Sequence, residues 1–385
     1  MILRKQPDKY QKKKKHIYLH QPLFSENEYK FLKKCISTTI VSSGGNYINL
    51  FENQIKKHTN SKDVIAVLNG TIGLKICLEV LGIKKDEEVL VPTMTFVGTI
   101  NAIKHTNANP VFLDSDPNNL GINFDKLKLF LETQCIIKNG HTYNIKTKKK
   151  VFAIIPVHVF GNIGDIEKII KIAKKYRLKV IEDAAEALGS YCNRKHAGNF
   201  GDLGVISFNA NKTITTGGGG VIVSNNKYLT KKIRHLISTA KIRHPWKFLH
   251  NQVGWNYKMT NLNAAVGYAQ AINLIKTLNY KKKISKKYFK IFKKNVAIDM
   301  VEPPVNNLAN NWLNVIKIKG MTEKNRDYII SSLNKKKIEC RPVWKLMNKL
   351  PMYKKYQKIN LDIAQRLEKE LICLPSSPIY GKNIK

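Results

Sequence analysis

At 385 residues, with 43% hydrophobic side chains, the chain can bury a large core and is too apolar for a disordered polymer. Its formal net charge of +40 comes from 59 Lys and only eight Arg, spread along the whole length. Such unclustered, Arg-poor charge argues against a dedicated nucleic-acid site, and the lack of any run of about eighteen apolar residues argues against a membrane span.

The first sixteen residues, MILRKQPDKYQKKKKH, read as a basic flexible tail without an apolar leader core, so a cytoplasmic location is expected. Six cysteines with no close pair suit reduced, buried thiols and give neither a disulfide frame nor a metal site. Ser25, followed by Glu28, predicts a capping box that opens a helix running through Cys35. VSSGGNYINLFENQIKKH then predicts a glycine turn and a second amphipathic helix.

Residues 63–68 read as a strand, and Asn69-Gly70-Thr71 opens the next helix. A strand, a glycine turn and a helix N-terminus together make an anion site from free backbone N–H groups. Further strands are expected at residues 88–91, 110–114, 151–157 and 178–181, with a surface hairpin or loop at 136–150. Between the last two strands, Ile166, Ile169, Ile170 and Ala173 form an apolar helical stripe. This alternation implies an α/β fold with a doubly wound, mostly parallel sheet and ligands at the C-terminal ends of its strands.

Asp183 stands at such an end, where a carboxylate serves either as a helix cap or as a partner for a cationic ring nitrogen. Further on, VISFNANKTITTGGGGVIV places Lys212 between two short β-branched runs, with four glycines before the second. A lysine held between buried strands loses solvation, which favours the neutral amine that Schiff-base chemistry needs.

S-F-N-x-x-K-T-I-T-T-G-G-G-G resembles the cofactor-lysine segment of the DegT/DnrJ/StrS family of nucleotide-sugar aminotransferases, and motifs from about residue 19 to residue 377 follow the same order. The resemblance implies a fold type I aminotransferase. Its large α/β/α domain (17–271) would hold a mostly parallel seven-stranded sheet, with a small α+β C-terminal domain at 272–385. It also implies pyridoxal 5'-phosphate as cofactor, linked to Lys212, with Asp183 keeping the ring nitrogen protonated. By the same resemblance Gly70, Thr71, Ser207 and Asn209 hold the phosphate, Phe96 stacks on the ring and Glu186 lies against it. WNYKMTNLNAAVGYAQ matches a segment in which Asn256 reaches the phosphate of a neighbouring subunit, implying a homodimer with shared sites; Lys258 stands where the family usually has Arg. His158, Arg341 and Trp344 are the expected substrate contacts, the last two from RPVWKLMNKLPMY. The family usually continues into a last helix, which the closing LPSSPIYGKNIK is expected to lack.

The expected function is transfer of an amino group from L-glutamate to a keto sugar nucleotide. The favoured substrate is a UDP-2-acetamido-2,6-dideoxy-4-keto-hexose aminated at C4, on the resemblance to the LegC-like branch. GDP-4-keto-6-deoxymannose (perosamine synthase-like) and 3-keto sugars are the alternatives. From another class comes a catalytically inactive basic scaffold or nucleic-acid-binding protein, against which the intact set of Gly70, Asp183, Ser207 and Lys212 argues.

Overall fold

The structure, a computed structural model, describes residues 16–384, so the expected tail lies outside the described residues except for His16. Its framework is a nine-stranded sheet. The strands are β1 (Asp63–Val67), β2 (Glu88–Pro92), β3 (Asn109–Leu113), β4 (Cys135–Lys138), β5 (His141–Asn144), β6 (Lys150–Ile154) and β7 (Lys179–Asp183). A small separate hairpin, β8 (Tyr191–Cys192) and β9 (Lys195–His196), precedes the last two strands, β10 (Leu203–Ser207) and β11 (Gly220–Ser224). The main path runs β1-β11-β10-β7-β6-β2-β3. Strands β10, β7, β6, β2 and β3 pair in parallel, whereas β11 runs antiparallel to both of its neighbours. Seven strands on the path match the expectation. The other two are the β4–β5 hairpin, turned at Asn139-Gly140, because β5 pairs with the start of β6 and so joins the sheet.

Helices cover both faces, which is why β2, β10 and β11 are buried at every residue. The period-two alternation of β1 shows the two layers. Val64 and Ala66 pack with Ile48 and Phe51 of α2 (Asn46–Thr59), while Ile65 and Val67 pack with Leu74 and Leu78 of α3 (Gly70–Leu81). The first helix, Glu26–Ser37, carries the full capping box at Ser25 and Glu28. In the helix Ile166–Lys175 the buried stripe is Ile166, Ile169, Ile172 and Ala173, with Ile170 half-buried at its border.

After the long helix Leu274–Phe292, the strands Ile298–Met300, Asn314–Ile318, Leu371–Leu374 and Arg341–Pro342 form a four-stranded antiparallel sheet in that spatial order. Two crossings tie this part to the rest. Residues 17–21 run beside it, with Ile17 bridging to Ile338, and Phe112 of β3 exchanges backbone hydrogen bonds with Gln357 and Ile359. The expected lack of a last helix is corrected. Pro378, in the first turn after Ser377, opens a short helix Pro378–Lys382 that docks on Leu274–Phe292. The contact is close enough that a Cβ on Gly381 would lie 2.0 Å from the Tyr280 carbonyl oxygen.

Candidate active site

At the C-terminal ends of the parallel strands lies a cleft of about 530 Å³. Gly70, Thr71, Phe96, Asp183, Glu186, Ser207, Asn209, Lys212 and Trp344 all line it, joined by Asn211, Thr99 and Trp312, which sequence reasoning did not single out.

The register explains the floor. Parallel pairing of Val205 with Asp183 brings the ends of β7 and β10 side by side, so Asp183 and Ser207 emerge at the same edge. Beside them α3 begins at Gly70, with Asn69 capping it by accepting the Ile72 N–H at 2.9 Å. That cap leaves the Gly70 and Thr71 N–H groups at the helix start facing Ser207, an arrangement suited to a phosphate. A Cβ on Gly70 would lie 3.2 Å from Ser207 Cβ, and the cradle stays open because that atom is missing. Of the four glycines, Gly217 takes φ +81 in the turn. Gly220 is needed because a Cβ there would come within 2.8 Å of the Asn69 backbone, so the close approach it allows is to the Asn69-Gly70 turn.

Asp183 is buried, and each of its oxygens has a donor: Thr99 Oγ1 at 2.7 Å on Oδ2 and the Ala185 N–H at 3.1 Å on Oδ1. Thr99 is itself backed by Thr95, 2.8 Å away. Such donors fix the carboxylate in direction, as a partner for a ring N–H must be.

Lys212 projects from the loop between β10 and β11, its side chain 12% exposed. Its Nζ lies 3.1 Å from Glu186 Oε1 and 4.1 Å from the centre of the Trp312 ring. The other Glu186 oxygen accepts the Phe160 N–H at 2.8 Å, and Phe160 holds φ +55 to present it. Burial pushes the Glu186 carboxyl above the usual range, opposed by the Lys212 charge. Phe96, half-exposed at the start of the helix Val97–Lys104, faces the cleft across from this group. These residues fit pyridoxal phosphate: a glycine-open anion cradle, a fixed carboxylate, an aromatic face and one buried amine within a single cleft.

Three expected site residues stand elsewhere. His158 is 2% exposed and its ring bonds Glu182 at 2.9 Å, behind the floor, because alternation along the chain sends Val157 into the cleft and His158 away from it. Arg341 is exposed and paired with Glu339 at 2.9 Å, two residues back along the chain. Asn256 is exposed, bridges to Ser238 and does not line the cleft of its own chain. Trp344 does line it, stacked on Phe160 with ring centres 4.9 Å apart.

Residues 22–383 match the DegT/DnrJ/EryC1/StrS aminotransferase family. The GDP-perosamine synthase of Escherichia coli O157:H7 is 35% identical over 367 residues, 94% of each chain. That of Vibrio cholerae is 32% identical over 366 residues, again 94% of each. A solved DegT DnrJ EryC1 StrS aminotransferase from Brucella abortus superposes with a TM-score of 0.83 at 25% identity, covering 92% of this chain and 91% of that one.

Proposed function

The chain belongs to the DegT/DnrJ/EryC1/StrS aminotransferase family, and from that premise we propose that it transfers the amino group of L-glutamate to C4 of GDP-4-keto-6-deoxymannose. Membership makes it a pyridoxal phosphate-dependent sugar aminotransferase of fold type I; the choice of sugar is the proposal. The observation that carries this choice is the GDP-perosamine synthase name borne by the 35% and 32% identical relatives. It reverses the order in which the sequence motifs ranked the substrates.

Pyridoxal phosphate, when bound, supplies an electron sink through which an amine and a ketone exchange places. Gly70, Thr71, Ser207 and Asn209 hold its phosphate, and Asp183 holds a proton at its ring nitrogen. Phe96 covers one face of the ring. Lys212 would anchor it through Nζ, and its amine would serve as the base that takes the donor Cα proton and as the acid that supplies one to the sugar carbon. Trp344 contacts the sugar. Asn256, turned away from its own cleft, serves the phosphate site of a second copy, so that a homodimer shares its two sites. Mixing Lys212→Ala with Asn256→Ala subunits would then restore activity, since one site of each mixed dimer has both residues.

The test of the substrate is kcat/KM for GDP-4-keto-6-deoxymannose against the UDP-2-acetamido-2,6-dideoxy-4-keto sugar, with glutamate as donor. A preference for the UDP sugar would overturn the substrate and leave the reaction class standing.

A further inference from the structure

Trp312 is held at three points and carries the Lys212 amine on its ring. Its backbone N–H donates to Asn310 Oδ1 at 2.9 Å, and its carbonyl accepts from Lys281 Nζ at 3.0 Å. Its indole N–H donates to the Asn211 carbonyl at 2.7 Å, one residue before Lys212. Lys281 is fully buried; its Nζ donates to the Trp312 carbonyl and to the Ser376 carbonyl at 2.9 Å, and lies 3.0 Å from His20 Nε2. Asn310, the other anchor, donates to the Glu186 carbonyl at 2.7 Å and to Thr213 Oγ1 at 3.1 Å, so it also grips the residues on both sides of the ion pair.

From this geometry we infer that Trp312 is the positioning residue of Lys212: its indole face and Glu186 clamp the amine between them, and its N–H fixes the loop from which the lysine rises. The inference rests on Lys212 being the residue that carries the cofactor. A lysine side chain has many rotamers, and this chain offers pyridoxal phosphate 59 lysines, so selection of one amine needs a device that holds it in place. An aromatic face packed against the amine supplies that hold, and the Asn211 bond prevents the face from turning.

The experiment uses full-length protein freed of cofactor. The readouts are the rate at which visible absorbance appears on adding pyridoxal phosphate, and the lysines found modified after borohydride reduction and peptide mapping. In Trp312→Leu, with an unchanged thermal melt, attachment is expected to slow by about tenfold or more, because the amine is no longer held in one position. Part of the label should also move to other lysines. Trp312→Phe keeps a ring and loses the N–H, so it should slow by a few-fold with the label still on Lys212. Attachment at the normal rate to Lys212 alone in a folded Trp312→Leu protein would overturn the inference. If that variant does not fold, a normal rate in Trp312→Phe overturns it. Label on a lysine other than Lys212 in the unaltered protein would instead break the reading on which the inference rests.

Discussion

Asp183, Ser207 and Gly70 enter the cleft from two strand ends and a helix N-terminus of one sheet, while Trp312 and Trp344 enter it from the C-terminal part of the chain. The floor is fixed by register: once Val205 pairs with Asp183, the ends of β7 and β10 have nowhere else to go. The wall is fixed by side chains, through Asn310, Lys281 and the stacking of Phe160 on Trp344. The difference teaches where each kind of specificity belongs. On the proposed function, chemistry common to many substrates belongs to the sheet edge and to the Trp312 hold on Lys212, and features that distinguish substrates belong to Trp344.

Changes to the floor should therefore abolish or cripple the reaction. Lys212→Ala is expected to leave no detectable turnover and to let pyridoxal phosphate dialyse away, read by visible absorbance after dialysis. Retained turnover would move the cofactor amine to another lysine. Asp183→Asn, which keeps the shape but not the charge, should slow turnover on the order of a thousandfold, about 4 kcal/mol of barrier. Near-normal rates would reduce Asp183 to a structural cap.

The layer behind the floor should show in acid. His196 is buried and takes the Gly189 N–H on Nε2 at 2.8 Å, so it must be neutral in the fold, and burial pushes it down to about 4. Its folded value lies below the unfolded one near 6.5, so the unfolded chain binds the extra proton first. The stability it contributes is thus complete above about pH 6.5 and is lost progressively as pH falls toward 4, by roughly 3 kcal/mol. His196→Gln should flatten that part of the melting profile; an unchanged pH dependence would place the acid sensitivity elsewhere.

A change at Trp344, unlike one at Trp312, should spare the chemistry. Trp344→Ala is expected to raise KM for the keto sugar nucleotide by about tenfold, roughly 1.4 kcal/mol. The glutamate half-reaction and cofactor retention should stay as they are. A lost half-reaction would erase the distinction between floor and wall.

The same distinction explains what could be read from the amino acids alone. Lys212, Asp183 and the Asn69-Gly70-Thr71 turn lie in local patterns, strand then turn then helix, that imply their own geometry, and each was legible. Trp312 was not, because nothing near it in NNWLNVIKI says that the chain will fold back onto Lys212. Thr99 could have been found as the Thr95–Thr99 pair four residues apart in TMTFVGTI, opposite a strand-end carboxylate. His158 and Arg341 do not line the cleft of their own chain, and nothing beside them in the sequence shows that His158 turns to Glu182 and Arg341 to Glu339. The last helix was missed because five residues carry too little periodicity to show, even with a proline at the start.

The most direct test of the cleft as a transaminase centre is a single half-reaction. Protein loaded with pyridoxal phosphate is mixed with L-glutamate and no sugar, and 2-oxoglutarate is counted against protein chains. One equivalent per chain, released together with loss of the visible absorbance and absent in Lys212→Ala, is the predicted result. No 2-oxoglutarate from a fully loaded, folded protein would contradict the account.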